Sequence, residues 1–390
     1  MSGRGTVIAE CLILAGLLGL LGCGSPSSAP SDAVQTTEAA ETADSLVYQD
    51  SMELKYAENF SVDYYEGGYA MLSTKMGSGK LLVIPEGKAA PNGLPEDVQT
   101  IRQPVENLYL VASSVMDMFA ALDGLDAVRL SGQKAESWYV EEARDAMERG
   151  EILYAGKYNK PDYELIVSEK CSLAIENTMI LHSPEVLEQM ASFGIPTVVE
   201  CSSYETHPLG RVEWVKFFGA LLGKEEEAEK LFARQEAVMQ EVSAKEKTDQ
   251  TVAFFYITSN GLVQIRQSSD YVPKMIGLAG GKYVFENVGD PKSRRATMNM
   301  QVEEFYAGAK DADYLIYNSA IDGGVSSVEE LIGKCGVLED FKAVQEGNVW
   351  CTSNDMYQQS MAIGDMIGDI HRMLQGEEEN MRYLFRLKEK

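Results

Sequence analysis

Two series of short apolar runs alternating with helix-period segments, separated by one long helical stretch, constrain this chain more than any other feature. In the first series, apolar runs at 108–112, 174–181 and 196–199 alternate with helical patterns at 115–122, 140–149 and 185–193. The second series begins with TVAFFYI at 251–257, continues through 314–317 and 348–350, and closes with a helical pattern over 361–374. Strands alternating with helices imply parallel βαβ units, because a parallel strand pair needs a crossover connection. Each series covers roughly 140–160 residues, about one domain. The expected fold is therefore α/β, two Rossmann-like lobes with mostly parallel sheets.

Residues 56–84 have a different rhythm. FSVDY at 60–64 and KLLVI at 80–84 flank Glu66-Gly67-Gly68, which predicts a short leading antiparallel segment of two or three strands. Within it, Met76-Gly77-Ser78-Gly79-Lys80-Leu81 imitates a phosphate loop. It lacks the first glycine and carries Leu81 where Ser or Thr would bind the metal, so a hairpin turn is expected.

The stretch 209–248 follows Pro208, a residue favoured at helix starts. Trp214, Phe217, Phe218, Leu221, Leu222, Ala228, Leu231, Phe232, Val238 and Val242 recur near helical spacing, with Gly219 and Gly223 as interruptions. One nearly continuous helix of about 35 residues would be about 50 Å long. Heptads are not sustained, which argues against a coiled coil. A rigid connector between two lobes is the expectation.

At the amino end, Arg4 precedes an apolar run over 11–21. That run is shorter than the ~20 residues that span a bilayer but suits a signal-peptide core. It ends in Leu20-Leu21-Gly22-Cys23, which resembles the bacterial lipobox and implies lipid modification of Cys23. Residues 24–47 are rich in Ser, Ala, Thr and Glu without an apolar period, as in a flexible spacer. The expected organisation is a signal peptide (1–22), an anchor cysteine and linker (23–48), an N-terminal lobe (49–208), a connecting helix (209–247) and a C-terminal lobe (248–390).

The chain of 390 residues carries 34 Lys and Arg against 60 Asp and Glu, a formal charge of −26. Nucleic acid is not expected as a partner, since phosphate binding needs clustered cations. Apolar residues at 45% and charged residues at 24% fit a globular protein. Cys171, Cys201, Cys335 and Cys351 are too few for a disulfide scaffold, and either free thiols or a bridge fits them.

Lipobox, spacer, lobe, long helix and lobe stand in that order, with KPDYELI at 160–166 and SSYETHPLGRVEWVKFFGALLGKEEEAEKLF at 202–232. Over residues 50–390 this resembles the substrate-binding lipoproteins of ABC importers whose two lobes are joined by one backbone helix, a class that takes up ferric siderophores, haem and cobalamin. The resemblance implies a binding protein with no catalytic residues, no cofactor and no resident metal, its bound ligand being a metal chelate. It further implies a monomer, lipid-anchored outside the cell, that docks on ABC permease subunits. Docking would use an acid on each lobe: Glu164 on the first, and Glu304 or its neighbour Glu303 on the second, pairing with permease arginines.

Ligands of open α/β sheets gather in loops after the carboxyl ends of strands. Those loops hold Trp138, Tyr204, Tyr271, Trp350 and Tyr357, flat surfaces for a bulky conjugated ligand. Arg211, Arg294 and Arg295 offer guanidinium forks for carboxylate or phosphate in a chain short of cations. His207 is a candidate contact for a chelate. The arginines favour an iron complex, a ferric siderophore, with cobalamin or haem as alternatives. From another class, a lipid-anchored surface hydrolase is the competing reading. The chain has no Gly-x-Ser-x-Gly, His-Glu-x-x-His or Cys-x-x-Cys motif to support it, and His182, His207 and His371 lie far apart in sequence.

Overall fold

A computed structural model describes residues 45–76, 79–289 and 295–388. The signal segment, Cys23, the linker up to residue 44 and Arg294 lie outside the described residues.

Strands β1 (Tyr48–Ser51), β2 (Phe60–Tyr65), β3 (Tyr69–Thr74), β4 (Lys80–Ile84) and β5 (Val98–Arg102) form the first sheet in sequence order. All neighbours are antiparallel except β4 and β5, which run parallel. The expected leading strands are β2 to β4, with β1 and β5 added at the edges, and β1 begins one residue inside the stretch expected to be linker. Val62, Leu72, Leu81 and Val83 face the main core, while Tyr69, Met71, Leu82 and Ile84 face a second small core with Leu46, Leu94 and Val98. Burial on both faces explains why β4 reads as a continuous apolar run instead of an alternating one.

The N-lobe proper follows: β6 (Leu108–Leu110), α1 (Ser113–Ala121), β7 (Val128–Ser131), α2 (Glu141–Glu148), β8 (Leu153–Tyr154), the small hairpin β9 (Gly156–Lys157) and β10 (Lys160–Pro161), α3 (Tyr163–Ser168), β11 (Leu173–Asn177), α4 (Pro184–Ser192) and β12 (Thr197–Glu200). Its sheet has the order β12-β11-β6-β7-β8 and is parallel throughout. Helices α5 (Pro208–Leu222) and α6 (Glu225–Ser243) come next.

The C-lobe contains β13 (Thr251–Ile257), β14 (Val263–Arg266), α7 (Tyr271–Leu278), β15 (Lys282–Tyr283), β16 (Thr297–Met300), α8 (Val302–Ala309), β17 (Tyr314–Tyr317), α9 (Val328–Lys334), α10 (Lys342–Gln345), β18 (Val349–Thr352), α11 (Ile363–Leu374) and β19 (Leu384–Arg386). Here the sheet is mixed. β13, β17 and β18 are parallel at its centre, while β14 and β19 pair antiparallel with their neighbours. The short 258–262 link between β13 and β14 permits a hairpin and no crossover.

The connector departs from the expected single rod. Gly223 takes the left-handed conformation (φ 69°) and caps α5, and α6 then folds back along it. A Cβ on Gly219 would lie 2.5 Å from the Ala228 Cβ, so the two helices touch through their smallest residues. Lys216 Nζ reaches Glu229 Oε2 at 2.7 Å and lies 4.3 Å from the Phe232 ring centre, as only a hairpin allows. α5 is buried on nearly every side and acts as a core helix. α6 alone, about 28 Å long, continues to the C-lobe. There the Gly364 N–H donates to Gln235 Oε1 at 2.8 Å.

Two buried acids fasten the start of the body to α5. Glu213 accepts from the backbone N–H groups of Lys55 (2.9 Å), Tyr56 (2.8 Å) and Ala57 (2.8 Å). Glu205 accepts from the N–H groups of Glu58 and Asn59, both at 2.9 Å, and from Trp214 Nε1 at 3.0 Å. Among the described residues, Cys171, Cys201, Cys335 and Cys351 are buried and form no disulfide. Burial pushes Cys171 up to about 11 and Cys351 up to about 12, so both behave as small apolar side chains.

Candidate ligand cleft

The loops at the carboxyl edges of the two lobes meet across a cleft. Lys274 Nζ of α7 donates to Thr206 Oγ1 at 3.3 Å, and Tyr139 N–H donates to Gln358 Oε1 at 2.8 Å. In the N-lobe sheet the strand order reverses direction at β6, the place where open α/β sheets bind ligands. A cavity of about 440 Å³ opens there, lined by Val111, Ser113, Lys134, Tyr154, Lys157 and Asn177 among others. Lys134 Nζ lies 6.0 Å from the Tyr154 ring centre, and Lys134 and Lys157 are both exposed. This mouth is cationic and aromatic in a chain of charge −26.

Deeper between the lobes lies Arg211, in the first turn of α5. Its guanidinium carbon lies 4.2 Å from the centre of the Tyr271 ring, at the start of α7. Arg211 is half-buried, and among the described residues its guanidinium has no hydrogen-bond or ion-pair partner. The Arg211 charge acts on Glu200, a buried carboxylate at the end of β12. Glu200 Oε1 accepts from the Ser202 N–H at 2.5 Å, and Oε2 accepts from Ser114 Oγ at 3.4 Å. Burial still raises the Glu200 pKa, outweighing these bonds and the Arg211 charge. Burial likewise raises the Tyr271 phenol.

On the C-lobe side, Arg266 ends β14 and is committed internally. It lies 3.7 Å from Asp270 Oδ1, packs against the rings of Phe254 and Tyr357, and donates to the Tyr357 hydroxyl. Asn318 Nδ2 donates to the same hydroxyl at 2.8 Å. Arg211 thus has its donors unengaged, whereas Arg266 is held by Asp270 and Tyr357.

Of the residues singled out from sequence, Tyr204, Arg211, Tyr271 and Tyr357 stand in or beside the cleft. Trp138 and Trp350 do not offer a face to a ligand. Each is 2% exposed: Trp138 donates its indole N–H to Ser131 Oγ at 3.1 Å, and Trp350 lies within the buried strand β18. His207 is the N-cap of α5, its Nδ1 accepting from the Leu209 N–H at 3.1 Å, and it stacks on Tyr56 at 4.5 Å. Burial lowers its pKa, so it is a neutral cap and not a free chelate contact. Arg295 is exposed just before β16. His371 Nδ1 lies 2.9 Å from the Ala279 carbonyl, and among the described residues no cluster of three His, Cys, Asp or Glu is placed to hold a bare metal ion. Glu164 lies in the first turn of α3, and Glu303 and Glu304 lie in the first turn of α8. All three are exposed, at the carboxyl-edge ends of helices that lead into parallel strands.

Lys134, Lys157, Glu200 and Gln358 were not among the residues expected at the cleft. Lys134 was accessible to sequence reasoning, because it lies three residues past β7 in the same strand-end loop as Trp138. Glu200 was not, since a buried acid reads like any surface acid.

Two uncharacterized lipoproteins of Methanocaldococcus jannaschii are similar to this chain. One is 26% identical over 83% of this chain and 82% of its own length; the other is 25% identical over 99% and 100%. Among solved structures, the periplasmic haem-binding protein HutB of Vibrio cholerae superposes with TM-score 0.55 at 14% identity, covering 67% of this chain and 97% of its own. A protein of the Fe3+-hydroxamate transport system of Saccharomonospora viridis gives TM-score 0.53 at 19% identity, covering 70% and 93%. Residues 110–355, from the end of β6 through the cleft loops of both lobes, match the periplasmic binding protein family, and the chain belongs to that family of extracytoplasmic substrate-binding components of ABC importers, which bind and do not catalyse.

Proposed function

We propose that this protein captures an anionic iron chelate, a ferric siderophore, outside the cell and hands it to an ABC permease while tethered by lipid on Cys23. The observation that carries the reading is Arg211. A guanidinium over the Tyr271 ring between the lobes, with its donors unengaged, suits a carboxylate, hydroxamate or phenolate oxygen. Lys134 and Lys157 at the mouth extend the same preference for negative charge. The hydroxamate-system and haem-binding names of similarly folded proteins support a metal chelate as the cargo class. Glu164 and Glu304, one on each lobe, are the proposed contacts with permease arginines.

Titration with ferric hydroxamate, ferric catecholate, haem and cyanocobalamin, followed by equilibrium dialysis, tests the reading. A charge-assisted contact contributes roughly 1.5–3 kcal/mol, so Arg211→Ala should weaken the ferric complex about 10- to 150-fold. Binding of cyanocobalamin alone, or unchanged siderophore binding by Arg211→Ala, overturns the assignment.

A further inference from the structure

One segment between β18 and α11 bonds to the opposite lobe at consecutive points. The Gln358 amide spans two backbone groups of the N-lobe: its Oε1 accepts from Tyr139 N–H at 2.8 Å, and its Nε2 donates to the Ser137 carbonyl at 2.8 Å. Two residues later, Ser360 Oγ donates to the Ser114 carbonyl at 2.7 Å. The Met361 N–H then donates to Asp117 Oδ2 of α1 at 2.7 Å. The residue before Gln358 points the other way, since Tyr357 accepts from Arg266 and Asn318 within the C-lobe. Neighbouring positions of one short stretch thus hold the floor of one lobe and the rim of the other. Backbone bonds from Gln358 and Gln359 N–H to the Asp355 carbonyl (2.8 and 3.2 Å) keep the stretch turned, so it transmits displacement instead of absorbing it.

We propose that residues 357–361 are a strap that holds the two lobes together across the mouth of the cleft before any ligand arrives, with Gln358 as its outer clasp. The strap stands on interlobe contacts alone and is independent of which chelate the cleft takes. Its position has a direct corollary: any ligand that displaces Tyr357 acts on the clasp through a single peptide unit.

The test uses ligand-free full-length protein carrying spin labels on exposed Glu148 of the N-lobe and exposed Glu339 of the C-lobe, read by pulsed dipolar spectroscopy. The unsubstituted strap should give one narrow distance. Gln358→Ala should broaden the distribution and move its mean outward by more than about 2 Å, the scale that separates rearrangement from side-chain adjustment. Gln359→Ala, which removes no interlobe bond, should leave the distribution unchanged. An unaltered distribution in Gln358→Ala overturns the proposal. So does an equal change in Gln359→Ala, because the effect would then be general loosening of the loop. Siderophore binding can fail in the titrations above while this result holds, and the converse also applies.

Discussion

Glu213→Ala tests how the body is held together. The Glu213 carboxylate is fully buried and receives three backbone N–H groups, those of Lys55, Tyr56 and Ala57, within 2.9 Å. Removing it strands three donors where water has little access. A buried unsatisfied group costs roughly 1–3 kcal/mol, and the three share one short segment that shifts as a unit, so full additivity does not apply. The expected loss is about 3–5 kcal/mol, the range found when one partner of a buried charged cluster is deleted. Alanine is the better helix former by a few tenths of a kcal/mol, far too little to offset this. Glu229→Ala is the matched control. Lys216 is buried and faces both acids, Glu213 at 3.5 Å and Glu229 at 2.7 Å, but Glu229 is 56% exposed, so water can replace it and its loss should cost about 1 kcal/mol. Urea unfolding at neutral pH, followed by the fluorescence of Trp214 nearby, measures both. If Glu213→Ala lies within about 1 kcal/mol of the parent, or no lower than Glu229→Ala, the account of this anchor is wrong.

Two further outcomes follow from charged groups at either end of the burial scale. Glu176 of β11 is buried, neither oxygen has a hydrogen-bond partner among the described residues, and burial raises its carboxyl from 4.5 to about 8. The folded state therefore keeps a proton that the unfolded chain releases, so stability falls as pH rises from about 4.5 to about 8, by up to a few kcal/mol. Glu176→Gln should flatten that slope in thermal melts taken across the range, and a slope unchanged in the variant would exclude Glu176 as its source. At the exposed extreme, Glu164→Lys with Glu304→Lys should leave siderophore affinity within about twofold while reducing uptake by about tenfold or more, because reversed charges oppose docking. A comparable loss of affinity would place these acids in ligand binding instead.

The parts legible in the sequence are those governed by local periodicity. Alternation of strands and helices announced both lobes, and the apolar stretches on either side of Glu66-Gly67-Gly68 announced β2 and β4. What stayed hidden was decided by partners distant in the chain. Gly219 and Gly223 were visible as interruptions, but only Ala228 packing against Gly219 turns an interruption into a hairpin. Trp138 was assigned to the cleft because it stands in a loop after a strand, yet Ser131 supplies its indole N–H with an acceptor and allows the ring to be buried. Trp350 lies in a stretch, Val349 to Thr352, that is buried at every residue, and its apolar neighbours were the warning. Glu205 and Glu213 cannot be told from solvent-facing acids without residues 55–59 beside them. Arg211 was legible because scarce cations near a strand-end loop are informative in so acidic a chain.

The helical hairpin also bears on how much the cleft can breathe. On α6, Gln235 is bonded to Gly364 of the C-lobe and its neighbour Glu236 to Lys55 and Tyr56 of the N-lobe. A lone rod between lobes can flex along its length. A helix gripped at adjacent residues from opposite sides and backed by a second helix loses that bending, so what motion is left to the lobes is rotation about those grips, which the 357–361 strap restrains. With hairpin and strap together, the aperture is fixed when the chain folds and not when the chelate arrives. Selection among chelates then falls on their fit to a shape already in place, and little of the binding free energy is spent on ordering the protein around them.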